Sequence, residues 1–94
     1  MNIYFFTVQI ATWPRKRISS KGQIYTSCFM KIPNPKKGRS CDYIYSVSTA
    51  ETGENIIHLY NKGDYLIIEG QIQLSKKTKK LQLNIVKDHP LILN

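Results

Sequence analysis

The stretch YNKGDYLIIEGQIQL, residues 60–74, contains both the end of a helix and the most regular strand pattern of the chain. Lys62 and Gly63 supply a cationic last turn and a glycine at which a helix can stop. Four apolar residues then share one register, namely Leu66, Ile68, Ile72 and Leu74. This period of two predicts a strand over Tyr65–Leu74, and Gly70 marks the point where the strand must bend.

The segment just before this stretch is the one part of the chain that predicts a helix. Ile56, Ile57 and Tyr60 fall at positions i, i+1 and i+4, the spacing of one face of a short amphipathic helix. Because the glycine stop follows directly, we predict a helix between Ala50 and Asn61.

Four other segments alternate with a period of two, which predicts four more strands. They are Ile3–Thr12, Gln23–Ile32, Asp42–Ser48 and Leu81–Ile85. In the second of them, the predicted core residues are Ile24, Thr26, Cys28, Met30 and Ile32. In the third, the two faces carry Ile44, Ser46 and Ser48 on one side and Tyr43, Tyr45 and Val47 on the other.

The connections between these elements are polar. Trp13-Pro14 ends the first strand, because proline has no backbone donor for a strand ladder. Arg15–Gly22 is predicted to be an exposed basic loop, and Pro33–Arg39 and Ser75–Lys80 are predicted to be loops as well. Trp13 is interpreted as a cover over one end of the fold.

The predicted order of elements is β-β-β-α-β-β. An all-β, five-stranded OB-fold barrel has this order, with one short α-helix between strands 3 and 4. The competing five-stranded form, an SH3-like barrel, does not ordinarily place a helix of this length there. A chain of 94 residues can close one hydrophobic core, so we expect a single domain over residues 1–94.

The charge of the chain favours a polyanionic partner. Fourteen Lys and Arg against six Asp and Glu give a net charge of +8. Eleven of the fourteen basic residues fall in three short clusters: Arg15, Lys16, Arg17 and Lys21; Lys36, Lys37 and Arg39; Lys76, Lys77, Lys79 and Lys80. The plainer alternative is a basic protein whose charge only keeps it in solution.

Motifs for catalysis or for cofactor binding are not found. Cys28 and Cys41 do not have metal-ligand spacing, and His58 and His89 belong to no nucleophile motif. The five glycines form no phosphate-binding fingerprint. We therefore expect a non-enzyme without cofactor or metal.

The cellular location is inferred from apolar runs and from amino-acid composition. No apolar run is long enough for a membrane span, and the N-terminus has no basic region before its apolar stretch, so neither a transmembrane segment nor a signal peptide is expected. The abundance of Ile, Lys, Asn and Tyr is typical of AT-rich coding DNA. A plastid (chloroplast stroma) or a bacterial cytoplasm is the expected location.

The residues quoted so far resemble the single-stranded-DNA-binding protein family along nearly the whole chain. The similarity includes the opening Met1-Asn2, Pro14 after the first strand, Arg17 and Gly22. Its main part is residues 60–72, which resemble the family segment LxKGxxVxxEGxL. The short form, which ends without a glycine-rich linker or an acidic tip, resembles plastid-encoded members and primosomal replication protein B.

The resemblance implies binding of single-stranded DNA, a role in DNA replication and assembly into a homo-oligomer, a dimer or tetramer. The chain departs from the typical family sequence at three positions that concern binding. Tyr43 stands where typical members have Trp, while Thr49 and Lys77 stand where members have further aromatic residues. The family recruits repair and replication enzymes through its acidic tip, so that recruiting role is not expected here.

Sequence-independent binding of a single strand needs cations that follow the phosphates and rings on which bases stack. In an OB barrel the groove is formed by the outward face of strands two and three and by the loops joining strands one to two and four to five. The predicted nucleic-acid-binding residues are Arg15, Lys16, Arg17, Lys21, Tyr25, Phe29, Lys31, Tyr43, Tyr45, Lys76, Lys77, Lys79 and Lys80.

Each of these residues also has a structural interpretation. Tyr and Phe are common in strands because they suit a half-buried pleated surface, and lysines at a sheet margin can simply prevent aggregation. Two functions therefore remain open. The first is binding of single-stranded DNA or RNA, and the second is an OB-fold interaction module that docks as a subunit of a larger assembly without binding nucleic acid.

Overall fold

The computed structural model describes residues 2–33 and 41–91. Within them, the elements follow in the order β1 (Tyr4–Ile10), β2 (Arg15–Ile18), β3 (Ile24–Pro33), β4 (Cys41–Thr49), α1 (Ala50–Leu59), β5 (Tyr65–Leu74) and β6 (Leu81–Pro90). Residues 34–40, which include most of the predicted Pro33–Arg39 loop, lie outside the described residues, and so do Lys36, Lys37 and Arg39.

Five of the strands close into a barrel. The order around it is β1-β5-β6-β4-β3, and β3 pairs with β1 to complete the circuit. The closing contact is short, with Gln9 opposite Lys31 and Ile10 opposite Met30. β4 and β6 are parallel, while the other neighbours are antiparallel. The helix follows the third barrel strand, so the predicted five-stranded OB barrel is confirmed.

The predicted basic loop is partly a strand. Arg15–Ile18 forms β2, which pairs with β3 from Arg15 opposite Ser27 to Ile18 opposite Ile24. At this end β3 has no pairing with β1, so its backbone N–H and C=O groups need another partner, and β2 supplies it. All four residues of β2 are exposed, and therefore no hydrophobic alternation marked the strand.

The barrel interior holds the apolar residues that the alternation predicted. The buried core consists of Val8, Ile10, Cys28, Met30, Ile44, Ile56, Tyr60, Leu66, Ile68, Leu83 and Ile85. The prediction was wrong for Ile24, which is exposed because it lies at the outer end of β3 against β2. Ile72 and Leu74 keep the predicted register but are also exposed, since β1 ends its pairing with β5 at Gly70.

The helix closes one side of the core and is two residues shorter than predicted. Ile56 is fully buried. Gly53 lies so close to the sheet that a Cβ atom there would be 2.8 Å from Thr26 Oγ1, and the Thr26 hydroxyl donates to the Gly53 carbonyl at 3.1 Å. A glycine is therefore required for this close packing.

A buried polar group joins the helix end to β6. The Tyr60 hydroxyl donates to Asp88 Oδ2 at 3.0 Å, and Asn55 Nδ2 donates to Asp88 Oδ1 at 3.3 Å. Both Tyr60 and Asp88 are buried. Because a buried carboxylate without partners is costly, these bonds fix the helix relative to the barrel.

Replacing Tyr60 by Phe removes one of the two donors to the buried Asp88 carboxylate. We expect Tyr60→Phe to lower the free energy of unfolding by about 1–3 kcal/mol, measured by urea denaturation. Tyr65→Phe is the matched control, because Tyr65 is exposed and its hydroxyl has no such role. Equal stability of the two variants would contradict the structural role of the Tyr60–Asp88 bond.

Two buried weak acids, the Cys28 thiol and the Tyr60 hydroxyl, predict that the protein loses stability at alkaline pH. Burial raises the pKa of the Cys28 thiol from its ordinary 9.0 to about 12. Burial, followed by the Asp88 hydrogen bond and charge, raises the pKa of Tyr60 above its ordinary 10.0. As the pH rises, the unfolded chain therefore loses these two protons before the folded chain does. The contribution of the two protonated groups to stability is complete below their unfolded-state pKa values and is lost as the pH rises towards their folded-state pKa values.

Urea denaturation between about pH 7 and pH 11 tests this. The free energy of unfolding should be level at first and fall once the pH passes the ordinary thiol value of 9.0. In Cys28→Ala the free energy of unfolding should fall less steeply with pH, because one of the two groups that release a proton on unfolding is absent. An identical pH dependence in the wild type and in Cys28→Ala would count against a native thiol that resists ionisation.

Candidate nucleic-acid interface

The outward face of β3 and β4 carries a group of aromatic rings. Cross-strand pairing places Phe29 opposite Tyr45 and Lys31 opposite Tyr43. The Phe29 and Tyr45 ring centroids are 5.4 Å apart at an interplanar angle of 61°, and Lys31 Nζ lies 5.6 Å from the centre of the Tyr43 ring. Phe29 is 43% exposed and Tyr43 62% exposed. These rings therefore present stacking surface to solvent.

Tyr25 lies apart from this group. It is half-buried and stands opposite Thr49, towards the β2 side of the sheet. Thr49 is the residue just before α1, and Lys77 lies in the connection between β5 and β6. At neither of these positions does the chain supply the ring that the resemblance would have placed there.

Two of the predicted cations join the rings. The pairing of β2 with β3 puts Arg15 opposite Ser27 and Arg17 opposite Tyr25, on the ring-bearing face. Arg17 Nε donates to Ser27 Oγ at 2.8 Å, which fixes its guanidinium beside the sheet. The result is a positively charged border along one edge of the rings.

Lys16 points the other way. Its Nζ lies 2.8 Å from Glu54 Oε1 on the helix, and Glu54 Oε2 lies 3.1 Å from His58 Nε2. The hydrogen bond from Lys16 is the main reason that the pKa of Glu54 is lowered. Of the three consecutive cations in β2, only Arg15 and Arg17 therefore belong to the ring-bearing face.

The remaining predicted cations flank the rings at opposite ends. Lys21 is exposed in the turn between β2 and β3, beyond Tyr25. The other four, Lys76, Lys77, Lys79 and Lys80, are exposed in the connection between β5 and β6. Because β4 and β6 are parallel with Tyr45 opposite Gln82, that connection lies on the Tyr43 side of the face.

The structure adds residues that the sequence did not predict. A depression of about 340 Å³ opens beside Phe29 and Tyr45. Its other ring is Trp13, and its cations are Arg15, Arg17 and Lys62. Trp13 is 58% exposed, so the interpretation as a cover over the barrel end was wrong. The sequence signals for Lys62 were the helix stop and the lysine of the family segment, and neither gave a reason to place it near β1.

A row of amides borders the rings on the opposite side from β2. The pairing of β4 with β6 and of β6 with β5 places Gln82 next to Tyr45, followed by Gln73. Three hydrogen bonds link the row: Gln82 Nε2 to Asn84 Oδ1 at 2.9 Å, Asn84 Nδ2 to Gln73 Oε1 at 2.6 Å, and Gln73 Nε2 to Gln71 Oε1 at 3.3 Å. The outward surface thus passes from cations through rings to uncharged amides.

Over residues 2–33 and 41–91, no three His, Cys, Asp or Glu side chains come together as a metal-binding group. The helix found in that part of the chain is too short and too polar to cross a membrane.

Comparisons with known proteins support the fold. The sequence matches no family model and no curated protein. The structure is similar to the SSB domain of a protein from Synechococcus, with a TM-score of 0.79 and 14% identity over 95% of this chain and 94% of that one.

Two further solved structures are similar at 14% identity and a TM-score of 0.77. A small single-stranded DNA-binding protein from Streptomyces coelicolor is matched over 97% of this chain and 95% of that one. The single-stranded DNA binding protein from Thermus aquaticus is matched over 100% of this chain and 42% of that one. The resemblance in sequence is confirmed at the level of fold: this chain has the OB fold of single-stranded-DNA-binding proteins.

Proposed function

We propose that this chain binds single-stranded nucleic acid, single-stranded DNA in the first place, without reading its sequence and without catalysing a reaction. The observation that carries the proposal is the group of rings on one sheet face, with Phe29 and Tyr43 exposed and Tyr45 half-buried between them and β6. Bases stack on such rings whatever their identity, because every base has a π-face. The similarity in fold to single-stranded-DNA-binding proteins supports the same function.

The cations around the rings support binding of the phosphate backbone. Arg15 and Arg17 border the rings on one side, and the lysines of the β5–β6 connection lie at the Tyr43 end. A strand that crosses the rings can thus meet cations before and after its stacked bases. Phosphate contacts of this kind supply most of the affinity in sequence-independent binding.

A second candidate function has one observation in its favour. Thr49 and Lys77 leave the face with fewer rings than the resemblance implies, as an OB barrel that docks onto a larger assembly would. In that case the exposed rings would contact protein, and single strands would not bind. Titration with a single-stranded oligomer distinguishes nucleic-acid binding from docking.

Titration with a labelled poly-dT oligomer at several salt concentrations tests the roles of rings and lysines separately. Phe29→Ala or Tyr43→Ala should weaken binding by about 1–3 kcal/mol, the contribution of one stacked base, at an unchanged salt slope. Lys76→Ala together with Lys77→Ala should lower the slope by about 1.4, since each single-strand phosphate contributes about 0.7.

Two exposed residues away from the face serve as matched controls. Tyr4→Ala removes an exposed ring on the core-facing side of β1, and Lys16→Ala removes a lysine that faces the helix. Neither should change affinity or slope by as much as the site variants. Equal binding of single-stranded and blunt duplex DNA, or normal binding by the Phe29 and Tyr43 variants, would favour the docking function.

We also propose that the protein is a homo-oligomer, at least a dimer, joined through β1. β1 pairs with β3 only at Gln9 and Ile10, so the edge of its first residues has no partner strand in the described part of the chain. This edge is uncharged, and Phe5 on it is 67% exposed. In the described residues β2 also has a free edge, but it carries three cations and would repel its own copy.

Analytical ultracentrifugation at micromolar concentration tests the dimer. The wild type should sediment as a dimer or larger assembly, and Phe5→Lys should shift it to monomer because the edge becomes charged. Ile24→Lys is the control, since it adds the same charge at an exposed residue next to β2. A wild-type protein that sediments only as monomer would refute the proposal.

A further inference from the structure

The depression beside Phe29 and Tyr45 differs from the rest of the face because it is enclosed on several sides. Its volume of about 340 Å³ lies at the lower end of the range typical of small-molecule sites. The indole of Trp13 forms a third aromatic wall next to Phe29 and Tyr45, and the cations Arg15, Arg17 and Lys62 line it as well. The rings can stack with a base, and the cations can bind its phosphate.

The backbone holds Trp13 in place without burying its ring. The amide of Ala11 donates to the Phe29 carbonyl at 2.9 Å, and the amide of Phe29 donates to Thr12 Oγ1 at 2.9 Å. Pro14, which follows Trp13, restricts the Trp13 backbone to extended conformations. The backbone that carries the indole is therefore fixed before a ligand arrives, which lowers the entropic cost of stacking on it.

Lys62 is held beside the same depression by the end of β1. The amide of Gly63 donates to the Ile10 carbonyl at 2.8 Å, and the amide of Ile10 donates to the Asp64 carbonyl at 2.9 Å. Gln9 Nε2 also donates to the Gly63 carbonyl at 3.0 Å. The turn that ended the helix in sequence is thus tied to the strand that leads into Trp13.

The cations of the depression have no salt-bridge partner in the part of the chain that the structure describes. In residues 2–33 and 41–91, no carboxylate forms a salt bridge with Arg15, Arg17 or Lys62. Arg17 bonds to the neutral Ser27 hydroxyl instead, which orients the guanidinium and leaves its charge available. Three cations around one small depression attract an anionic group such as a phosphate.

We infer that this depression is a discrete site for one nucleotide of the bound strand, with its base stacked on Trp13 and its phosphate held by Arg15, Arg17 and Lys62. The inference rests on the proposed binding of single strands and adds a fixed point at which the strand is anchored. Elsewhere on the face, bases stack on open rings. Here rings and cations contact one nucleotide from several sides.

Trp13 reports on the site directly, because it is the only tryptophan of the chain. Titration with unlabelled poly-dT oligomer should quench its fluorescence as a base stacks on the indole. The quenching should saturate at the same protein-to-oligomer ratio as the anisotropy of a labelled poly-dT oligomer. This measurement needs no variant and so does not depend on a variant folding.

Variants then separate the ring from the charge. Trp13→Ala should weaken binding roughly 5- to 150-fold at an unchanged salt slope, and Trp13→Phe should retain most of the affinity because it keeps a ring. Lys62→Ala should keep the tryptophan quenching but lower the salt slope by about 0.7. Lys16→Ala, which removes a lysine outside the depression, should change neither.

The outcomes distinguish this inference from the proposed function. If anisotropy reports binding while the Trp13 emission stays constant and Trp13→Ala binds like the wild type, the discrete site is refuted and the proposed function stands. If anisotropy reports no binding of single strands at moderate salt, the proposed function and the site are refuted together.

Discussion

The end of β1 at Ile10 is the point on which both the barrel and the candidate site depend. The Ile10 side chain is buried in the core, and its backbone lies opposite Met30 where β1 meets β3. Its amide and carbonyl bond to the turn at residues 63–64. Ile10 thus takes part in closing the sheet, fixes the start of β5 and directs the chain towards Trp13, so a change in the closure would displace the rings and cations together.

The fold could be predicted because the core side chains obey a simple period. In β1, β3, β5 and β6 the apolar core residues alternate along each strand, and the helix differs clearly by its i, i+1, i+4 spacing. β2 could not be predicted in this way, since it buries no side chain and exists because β3 needs a backbone partner. The exposure of Ile24 and Leu74 depends on where the neighbouring strands end, and the hydrophobic period of one strand carries no information about the ends of its neighbours.

The candidate site was predictable only where strand parity determines it. Phe29, Tyr43 and Tyr45 face outward because their neighbours in the strands face the core. Parity would also have turned Lys16 away from Arg15 and Arg17, had β2 been recognised as a strand. Trp13 and Lys62 are 49 positions apart in sequence, and only the closed barrel brings them to one depression.

The row of four amides beside Tyr45 has a collective property. Every hydrogen bond in it runs in the same direction, from Gln82 through Asn84 and Gln73 to Gln71. An amide presents its donor and its acceptor on opposite sides, so turning either inner member by half a turn breaks the bonds to both of its neighbours. The row can therefore reverse only as a whole. The row therefore has one polarity in this structure: its own bonds leave the Gln82 carbonyl oxygen as the acceptor at one end and the Gln71 amide nitrogen as the donor at the other.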